Sequence, residues 1–152
     1  MRITIIAVGR LGAGPERALA DHYLKRLTWP ATIREVEERR KLPAPALKRR
    51  EAALILDACP DRAVLVALDE RGKQMASRDF AARLAAWRDD GVADLAFAIG
   101  GADGLDGTVT ARAALTLSLG PMTWPHFMVR GMLAEQLYRS RQIIAGHPYH
   151  RD

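Results

Sequence analysis

Hydrophobic and polar positions divide the chain into two kinds of segment. Short unbroken apolar runs, such as residues 63–68, are typical of strands buried on both faces of a parallel sheet. Longer segments with apolar residues three or four positions apart predict amphipathic helices. Strands are predicted at residues 2–8, 31–37, 63–68, 95–99 and 115–119, and helices at residues 15–27, 46–58, 77–89 and 126–145, with a short helical turn between the last two strands. Because strands and helices alternate, the pattern predicts one α/β domain, residues 1–152, with a mostly parallel sheet.

Proline and polar residues mark the expected ends of these elements. Pro15 suits the first turn of the first helix, and Pro30 follows the point where that helix should have ended. Residues 39–45 read as a basic linker punctuated by proline, and residues 69–73 as a turn. Ser77 is expected to cap the third long helix.

The last predicted helix carries apolar residues on two sides. One side can cover the sheet and comprises Val129, Met132, Leu133, Gln136, Leu137 and Ile144. The other side comprises Phe127, Gly131, Ala134 and Tyr138, and its small residues would let another helix approach closely. A second apolar side in so small a protein needs a second packing partner. The pattern therefore predicts either a homodimer through this helix or a helix buried at the centre of the fold.

Two loops rich in glycine and proline follow the last two strands. Residues 100–104 read Gly-Gly-Ala-Asp-Gly, and residues 120–126 read Gly-Pro-Met-Thr-Trp-Pro-His. In an open α/β sheet, loops at the carboxyl ends of strands form the ligand crevice. A site built mainly from such main chain suits a small, planar, neutral or cationic ligand better than a pyrophosphate.

Glycines also follow the first strand, at Gly9, Gly12 and Gly14, with acidic residues about 20 positions further on. This arrangement is similar to a dinucleotide-binding fingerprint, but the spacing differs from the G-x-G-x-x-G that the motif requires. A flexible loop explains these glycines better. A nucleotide-dependent oxidoreductase that uses this loop is the weakest of the functions considered.

Charge favours an anionic partner, because the net charge is +5 and the sequence pI is about 9.9. Two basic triplets, residues 39–41 and 48–50, either contact nucleic-acid phosphates or form a solvated linker and helix start. A single cysteine, Cys59, excludes an intrachain disulfide and indicates a cytoplasmic protein. No apolar run approaches the roughly 20 residues of a membrane span, so no membrane association is expected.

The C-terminal tail, residues 145–152, is expected to be ordered and functional. It contains His147 and His150, but with no third histidine and no cysteine nearby the composition predicts no metal site. A helix of about 20 residues would carry the tail roughly 30 Å from the glycine loops. We therefore expect the tail to act at the pocket of a partner subunit. Glu135 and Arg139, four residues apart, are expected to pair on the helix surface.

Several motifs together resemble the ribosomal RNA large subunit methyltransferase H family, which belongs to the SPOUT class. The matching segments span the whole chain. They are Ile5-Ile6-Ala7-Val8-Gly9, Leu68-Asp69-x-x-Gly72-Lys73, Ile99-Gly100-Gly101-Ala102-Asp103-Gly104, Met122-Thr123-Trp124-Pro125-His126, Glu135-Gln136-Leu137-Tyr138-Arg139 and His147-Pro148-Tyr149-His150-Arg151. The resemblance implies a homodimer with a C-terminal trefoil knot. It also implies S-adenosyl-L-methionine (AdoMet) as cofactor and N3-methylation of a pseudouridine in the 23S RNA of the large ribosomal subunit.

The resemblance also assigns site residues. The AdoMet contacts that it implies are Leu68, Gly100, Leu119, Gly120, Pro121, Met122, Thr123 and Trp124. The imide N3–H must lose its proton to become a good nucleophile, so a base or a nearby cation is needed. The candidates for that catalytic role are His126, Arg130, Tyr149, His150 and Arg151. No metal is required. The alternative function is a non-catalytic RNA- or ribosome-binding protein that retains the fold.

Overall fold

Five parallel strands form the centre of the computed structural model, which describes residues 1–151. The strands are β1 (Arg2–Val8), β2 (Ala31–Val36), β3 (Val64–Gln74), β4 (Asp94–Ile99) and β5 (Leu115–Ser118). The helices are α1 (Pro15–Leu24), α2 (Ala44–Ala58), α3 (Ser77–Asp89), α4 (Gly107–Arg112) and α5 (His126–Ile144). The sheet order is β2-β1-β4-β3-β5. The predicted α/β class and parallel sheet are confirmed.

Helices cover both faces of this sheet, which explains the unbroken apolar runs. Successive residues of β1 point to opposite faces, so Ile5 packs in a core with α3 and α5, whereas Ile6 packs in a second core with α2 and α4. Both side chains are fully buried. A strand that is covered on both sides has no reason to alternate apolar with polar residues. No helix within residues 1–151 is long and apolar enough to cross a bilayer.

The expected turn at residues 69–73 is wrong, because β3 continues through it to Gln74. Leu68 and Lys73 both pair with Leu117 of β5, so the residues between them form an irregularity in the ladder. At Gly72 a side chain would not fit, since a Cβ atom would lie 2.8 Å from backbone atoms of Thr116 and Leu117. The chain therefore bulges beside β5 and rejoins the sheet.

Two further expectations about helix ends are corrected. Ser77 does not cap α3: the residue at the N-cap is Ala76, and the Ser77 hydroxyl instead donates to Oε1 of Gln136 on α5 at 2.8 Å. The first helix ends at Leu24 rather than at residue 27. At Ser77 a contact with α5 replaces the predicted cap, and after Leu24 a turn replaces the last predicted turn of helix.

The second apolar side of α5 is covered by α1 of the same chain. A Cβ atom at Gly131 would lie 2.7 Å from Cδ2 of Leu19, so the two helices are in close contact there. Ala134, one turn further along, is fully buried. The small residues thus allow α1 and α5 of the same chain to pack closely. Of the two predicted alternatives, this contact supports the helix buried at the centre of the fold. The second apolar side of α5 therefore no longer supports a homodimer. The homodimer and the trefoil knot both stay predictions.

A buried arginine ties α5 to the sheet. The Arg130 side chain is fully buried, and its guanidinium donates to the carbonyl oxygens of Val8 at 2.8 Å and Gly9 at 2.7 Å. It also forms an ion pair with Glu35 at 2.9 Å, and its guanidinium carbon lies 5.2 Å from the centre of the Phe127 ring. One side chain of α5 therefore holds the end of β1 and the strand β2.

Replacing Arg130 by alanine should destabilise the protein strongly. The substitution removes the buried donor of two carbonyl groups and leaves Glu35 with only the Leu11 amide and the partly exposed Arg17, and breaking a buried ion pair in this way typically costs about 3–5 kcal/mol. Arg141→Ala on the same helix is the matched control, because Arg141 bonds the Thr28 hydroxyl at the surface. Urea unfolding should give a change of about 0.5 kcal/mol or less for the control. Equal effects of the two substitutions would contradict the role assigned to Arg130.

Candidate functional site

A cavity of about 360 Å³ opens at the carboxyl ends of β4 and β5 and beside the irregular part of β3. The loops after β4 and β5, residues 68–71 of β3 and the first turn of α5 form its walls. All of the predicted AdoMet contacts except Pro121 line it: Leu68, Gly100, Leu119, Gly120, Met122, Thr123 and Trp124. The structure therefore brings together two loops that the sequence places at the ends of different strands.

The loop after β4 is closed so tightly that only glycine fits at its first position. A Cβ atom at Gly100 would lie 2.7 Å from the backbone carbon of Gly104. The amide of Gly104 bonds the Gly101 carbonyl at 3.0 Å, and Gly104 has a φ of 78°, in the left-handed region that favours glycine. The wall of the cavity on this side consequently consists of main chain.

The loop after β5 places large apolar side chains at the rim of the cavity. The Ser118 hydroxyl bonds both the carbonyl and the amide of Gly120, and thereby fixes the start of the loop. Met122 is 68% exposed and Trp124 is 36% exposed. Apolar side chains at the mouth of a cavity gain stability when a ligand or a second protein covers them.

His126 is the predicted catalytic residue that lies at the cavity. It occupies the first position of α5, and its ring stacks near that of Phe127, with ring centres 4.2 Å apart. Burial, and to a lesser degree the charge of Arg130, lowers the pKa of His126 below its ordinary value. The imidazole is therefore neutral near pH 7 and can accept a proton. Arg130 itself lies behind this histidine in the core and does not line the cavity.

The tail turns back along α5 instead of extending beyond it. Gly146, with a φ of 69°, follows the end of the helix, and the His147 amide bonds the Gln142 carbonyl at 2.9 Å. This pattern is a Schellman motif, which reverses the chain. The tail then reaches Glu135, whose carboxylate accepts a hydrogen bond from the Tyr149 hydroxyl at 3.2 Å. Glu135 is only about 14 Å along the helix from His126, so the expected separation of 30 Å is wrong.

The predicted tail residues differ in their surroundings. Arg139 bonds Nδ1 of His150 at 3.2 Å, and its guanidinium lies over the Tyr149 ring. Burial, a hydrogen bond with Tyr23 and the charge of Glu135 raise the pKa of Tyr149 above its ordinary value. Tyr149 is consequently a neutral phenol that donates a hydrogen bond rather than a base. Arg151 is exposed to solvent.

The pairing of Glu135 with Arg139 is confirmed, with Nε of Arg139 2.9 Å from Oε1 of Glu135. Both side chains are mostly buried under the tail, so they are not the surface pair that their spacing suggested. Glu135 also lines a second cavity of about 510 Å³, which shares Leu117, Leu119 and Gly120 with the first. The spacing of the pair gave no sign that the tail would cover it.

The basic segments around α2 are partly neutralised within the chain. Arg40 and Arg50 both pair with Glu38, at 3.0 and 2.9 Å, and these contacts lower the pKa of Glu38 to about 2. Lys48, in contrast, lines the first cavity. The glycines at positions 9 and 12 do not line it. Within residues 1–151, no group of three His, Cys, Asp or Glu side chains is arranged to hold a metal ion.

Parallel strands with a cavity between glycine loops at their carboxyl ends define the chain as a ligand-binding α/β protein of the open-sheet class. The family model described as "Predicted SPOUT methyltransferase" matches residues 1–150. The chain belongs to the SPOUT methyltransferase family, which confirms the class indicated by the sequence motifs. Methyltransferases of this family use AdoMet as methyl donor.

Relatives and a solved structure agree with this assignment. The chain is 59% identical to ribosomal RNA large subunit methyltransferase H of Rhodospirillum centenum and 55% identical to that of Paramagnetospirillum magneticum, with 99% of each chain covered in both comparisons. A probable methylase family protein from Haemophilus influenzae has the same fold, with a TM-score of 0.60 and 13% identity. That likeness covers 95% of this chain and 66% of the other.

The residues of the first cavity fit AdoMet. Its adenine can be held between apolar side chains and read by main-chain groups of the glycine loops, and the molecule has no phosphate that would require a cluster of basic residues. Leu68, Leu117 and Leu119 supply such apolar surface.

Gly100→Val should abolish or strongly weaken AdoMet binding. The branched side chain would collide with the Gly104 backbone and push the loop after β4 into the cavity. Calorimetric titration with AdoMet should show at least a tenfold loss of affinity, while circular dichroism shows that the fold is retained. Gly12→Val in the loop after β1 is the control, because Gly12, like Gly100, has no positive φ, and a Cβ atom there meets nothing within 4 Å. Parental affinity in a folded Gly100→Val variant would show that the site is misplaced.

Proposed function

We propose that this protein is an AdoMet-dependent methyltransferase that methylates N3 of a pseudouridine in 23S ribosomal RNA, in the cytoplasm. The observation that carries the proposal is the cavity between the Gly100 and Gly120 loops, formed by the residues that the family resemblance implies as donor contacts. Relatives that are 59% and 55% identical to this chain are named for methylation of large-subunit ribosomal RNA. Analysis of nucleosides from 23S RNA incubated with the enzyme and AdoMet tests the proposal directly.

The donor site lies in the first cavity. When bound, AdoMet supplies an electrophilic methyl group on a sulfonium. The chain holds the donor with main chain at Gly100 and Gly120 and with apolar side chains such as Leu119. Such contacts fix the position of the donor in the cavity. Correct alignment of the two reactants supplies much of the acceleration in a bimolecular transfer.

His126 is the residue of this chain best suited to accept the N3 proton. It lies at the donor cavity and is neutral near pH 7, because burial lowers its pKa. A neutral imidazole within hydrogen-bond reach of the proton can act as a general base. Arg130 positions this first turn of α5 from within the core, and we assign it that positioning role.

The tail supplies hydrogen-bond donors and positive charge instead of a base. Tyr149 presents a neutral hydroxyl, and Arg151 is exposed. A nearby cation stabilises the deprotonated imide. The His150 ring forms a hydrogen bond with the Arg139 guanidinium, which also lies over the Tyr149 ring. We propose that these three tail residues contact the target nucleotide.

A homodimer remains part of the proposal, although its basis changes. Leu19 on α1 and Met128 on α5 are each 40% exposed, and Met128 lies one turn before Gly131, which contacts Leu19. With the exposed Met122 and Trp124 of the cavity rim, these side chains form apolar surface that a second subunit can cover. We propose that this surface is the dimer interface and that the tail of one subunit acts at the pocket of the other.

Deleting residues 149–152 should abolish methylation but preserve AdoMet binding, because the donor cavity contains no tail residue. Mixing the deletion variant with Gly100→Val distinguishes the two possible arrangements. If the tail acts across the interface, the intact pocket of one subunit meets the intact tail of the other, and methylation recovers. If it acts within one subunit, the mixture stays inactive. Sedimentation must first show mixed dimers, and a parental protein that is monomeric at micromolar concentration would refute the dimer.

The basic surface beside the cavity should bind RNA phosphates. Arg40 and Arg50 are engaged with Glu38, so the informative change is Lys48→Gln with Arg49→Gln. Losing two phosphate contacts should lower RNA affinity and reduce the slope of log affinity against log salt by about 1.4–1.8. Fluorescence anisotropy with a 23S RNA fragment measures this slope. The control is Arg83→Gln with Arg88→Gln on the exposed surface of α3. An unchanged slope in the first variant would assign residues 48–49 to a solvated surface.

A further inference from the structure

Glu51 is a buried carboxyl group that the proposed reaction does not yet use. It lies on α2 and is 9% exposed, and its carboxylate oxygens, which keep some contact with solvent, form no hydrogen bond or ion pair within residues 1–151. Both of its carboxylate oxygens lie 3.3 Å from the position that a Cβ atom of Gly101 would occupy. Glu51 therefore faces the main chain of the loop that forms one wall of the donor cavity.

A charged carboxyl group in this position is expected to lower the stability of the fold. Burial, together with the nearby charge of Asp103, raises the pKa of Glu51 above its ordinary value. Buried charges are normally paired, and an unpaired one destabilises the fold. A group that is retained at such a cost beside a cavity is a candidate for a functional role.

Several carboxyl groups surround this wall, and only some of them have a cationic partner. The Asp69 carboxylate pairs with Arg71, whereas the Glu70 carboxylate accepts from the Thr123 hydroxyl, a neutral donor that does not neutralise a carboxylate. The Asp106 carboxylate is held by the amide and hydroxyl of Thr108. Glu51 lies behind Gly101, and Glu70 and the exposed Asp103 line the cavity itself, so these carboxyl groups place negative charge around it.

The methyl donor and its product differ in charge. Transfer forms the N3–C bond and breaks the S–C bond. The electron pair of that bond stays on sulfur, and the N3 proton leaves to a base. The sulfonium of AdoMet thereby becomes the neutral thioether of S-adenosylhomocysteine. Negative charge near the cavity consequently favours the donor over the product by Coulombic attraction.

Resting on the proposed function, we infer that Glu51, assisted by Asp103, is a specificity-determining residue that makes the cavity prefer the cationic donor to its neutral product. Glu51 acts through the thin main-chain wall at Gly101 and is not a catalytic residue. The preference hastens the exchange of spent cofactor for a new donor after each turnover. It requires no change in the contacts that the adenine makes, since these are common to both molecules.

Calorimetric titration of AdoMet and of S-adenosylhomocysteine into the full-length protein tests this inference. Glu51→Gln removes the charge and keeps the shape, so we expect about a tenfold loss of affinity for AdoMet and less than a twofold change for the product. Asp103→Asn should act in the same direction with a smaller loss, because Asp103 is exposed. Asp57→Asn, an exposed carboxylate two turns further along α2, is the matched control and should change neither affinity.

Thermal unfolding gives an independent measurement. Because Glu51→Gln removes an unpaired buried carboxyl group, its melting temperature should equal or exceed that of the parent protein. Equal losses of affinity for both ligands would overturn the inference, as they would show that Glu51 only shapes the Gly101 wall. Unchanged affinities for both would overturn it as well. If the parent protein binds neither ligand, the proposed function fails instead.

Discussion

The buried guanidinium of Arg130 is the interaction on which the arrangement of the site depends. A charge that is fully buried must be surrounded by acceptors, and here these are the carbonyls of Val8 and Gly9 and the carboxylate of Glu35. Because these acceptors lie at the end of β1 and in β2, they fix the orientation of α5 on the sheet. His126, one turn earlier, is thereby placed at the donor cavity.

The same helix positions the second half of the site. Its middle carries Glu135 and Arg139, and the Schellman turn at Gly146 returns the tail to them. The helix α5 therefore connects the donor loops to the tail residues. Its position on the rest of the fold is fixed by Arg130 and by the close contact of Gly131 with Leu19. A shift of α5 along its axis would move the proposed proton acceptor and the tail together.

Much of the fold follows from the sequence, because unbroken apolar runs and helical spacing are local signals. The strand β1 and the helix α3 have the predicted bounds, and both glycine loops lie at the predicted cavity. What could not be predicted depends on contacts between distant segments. The continuation of β3 requires the backbone of β5 beside Gly72, and the partner of Gly131 is decided by the path of α1. Glu51 gave no local signal, since one carboxylate on an amphipathic helix is ordinary.

Charge is distributed in a way that suits each component of the proposed reaction. Basic residues of α2 extend from Lys48 at the cavity to the exposed Arg49, where RNA phosphates would approach, while the Glu51 carboxyl group lies behind the wall at Gly101. On this proposal the anionic RNA and the cationic donor are attracted by different charged groups around one cavity. Methyl transfer removes the positive charge of the donor and leaves that of the protein surface unchanged. On this proposal the product therefore lacks the Coulombic attraction that the cavity offers to the donor.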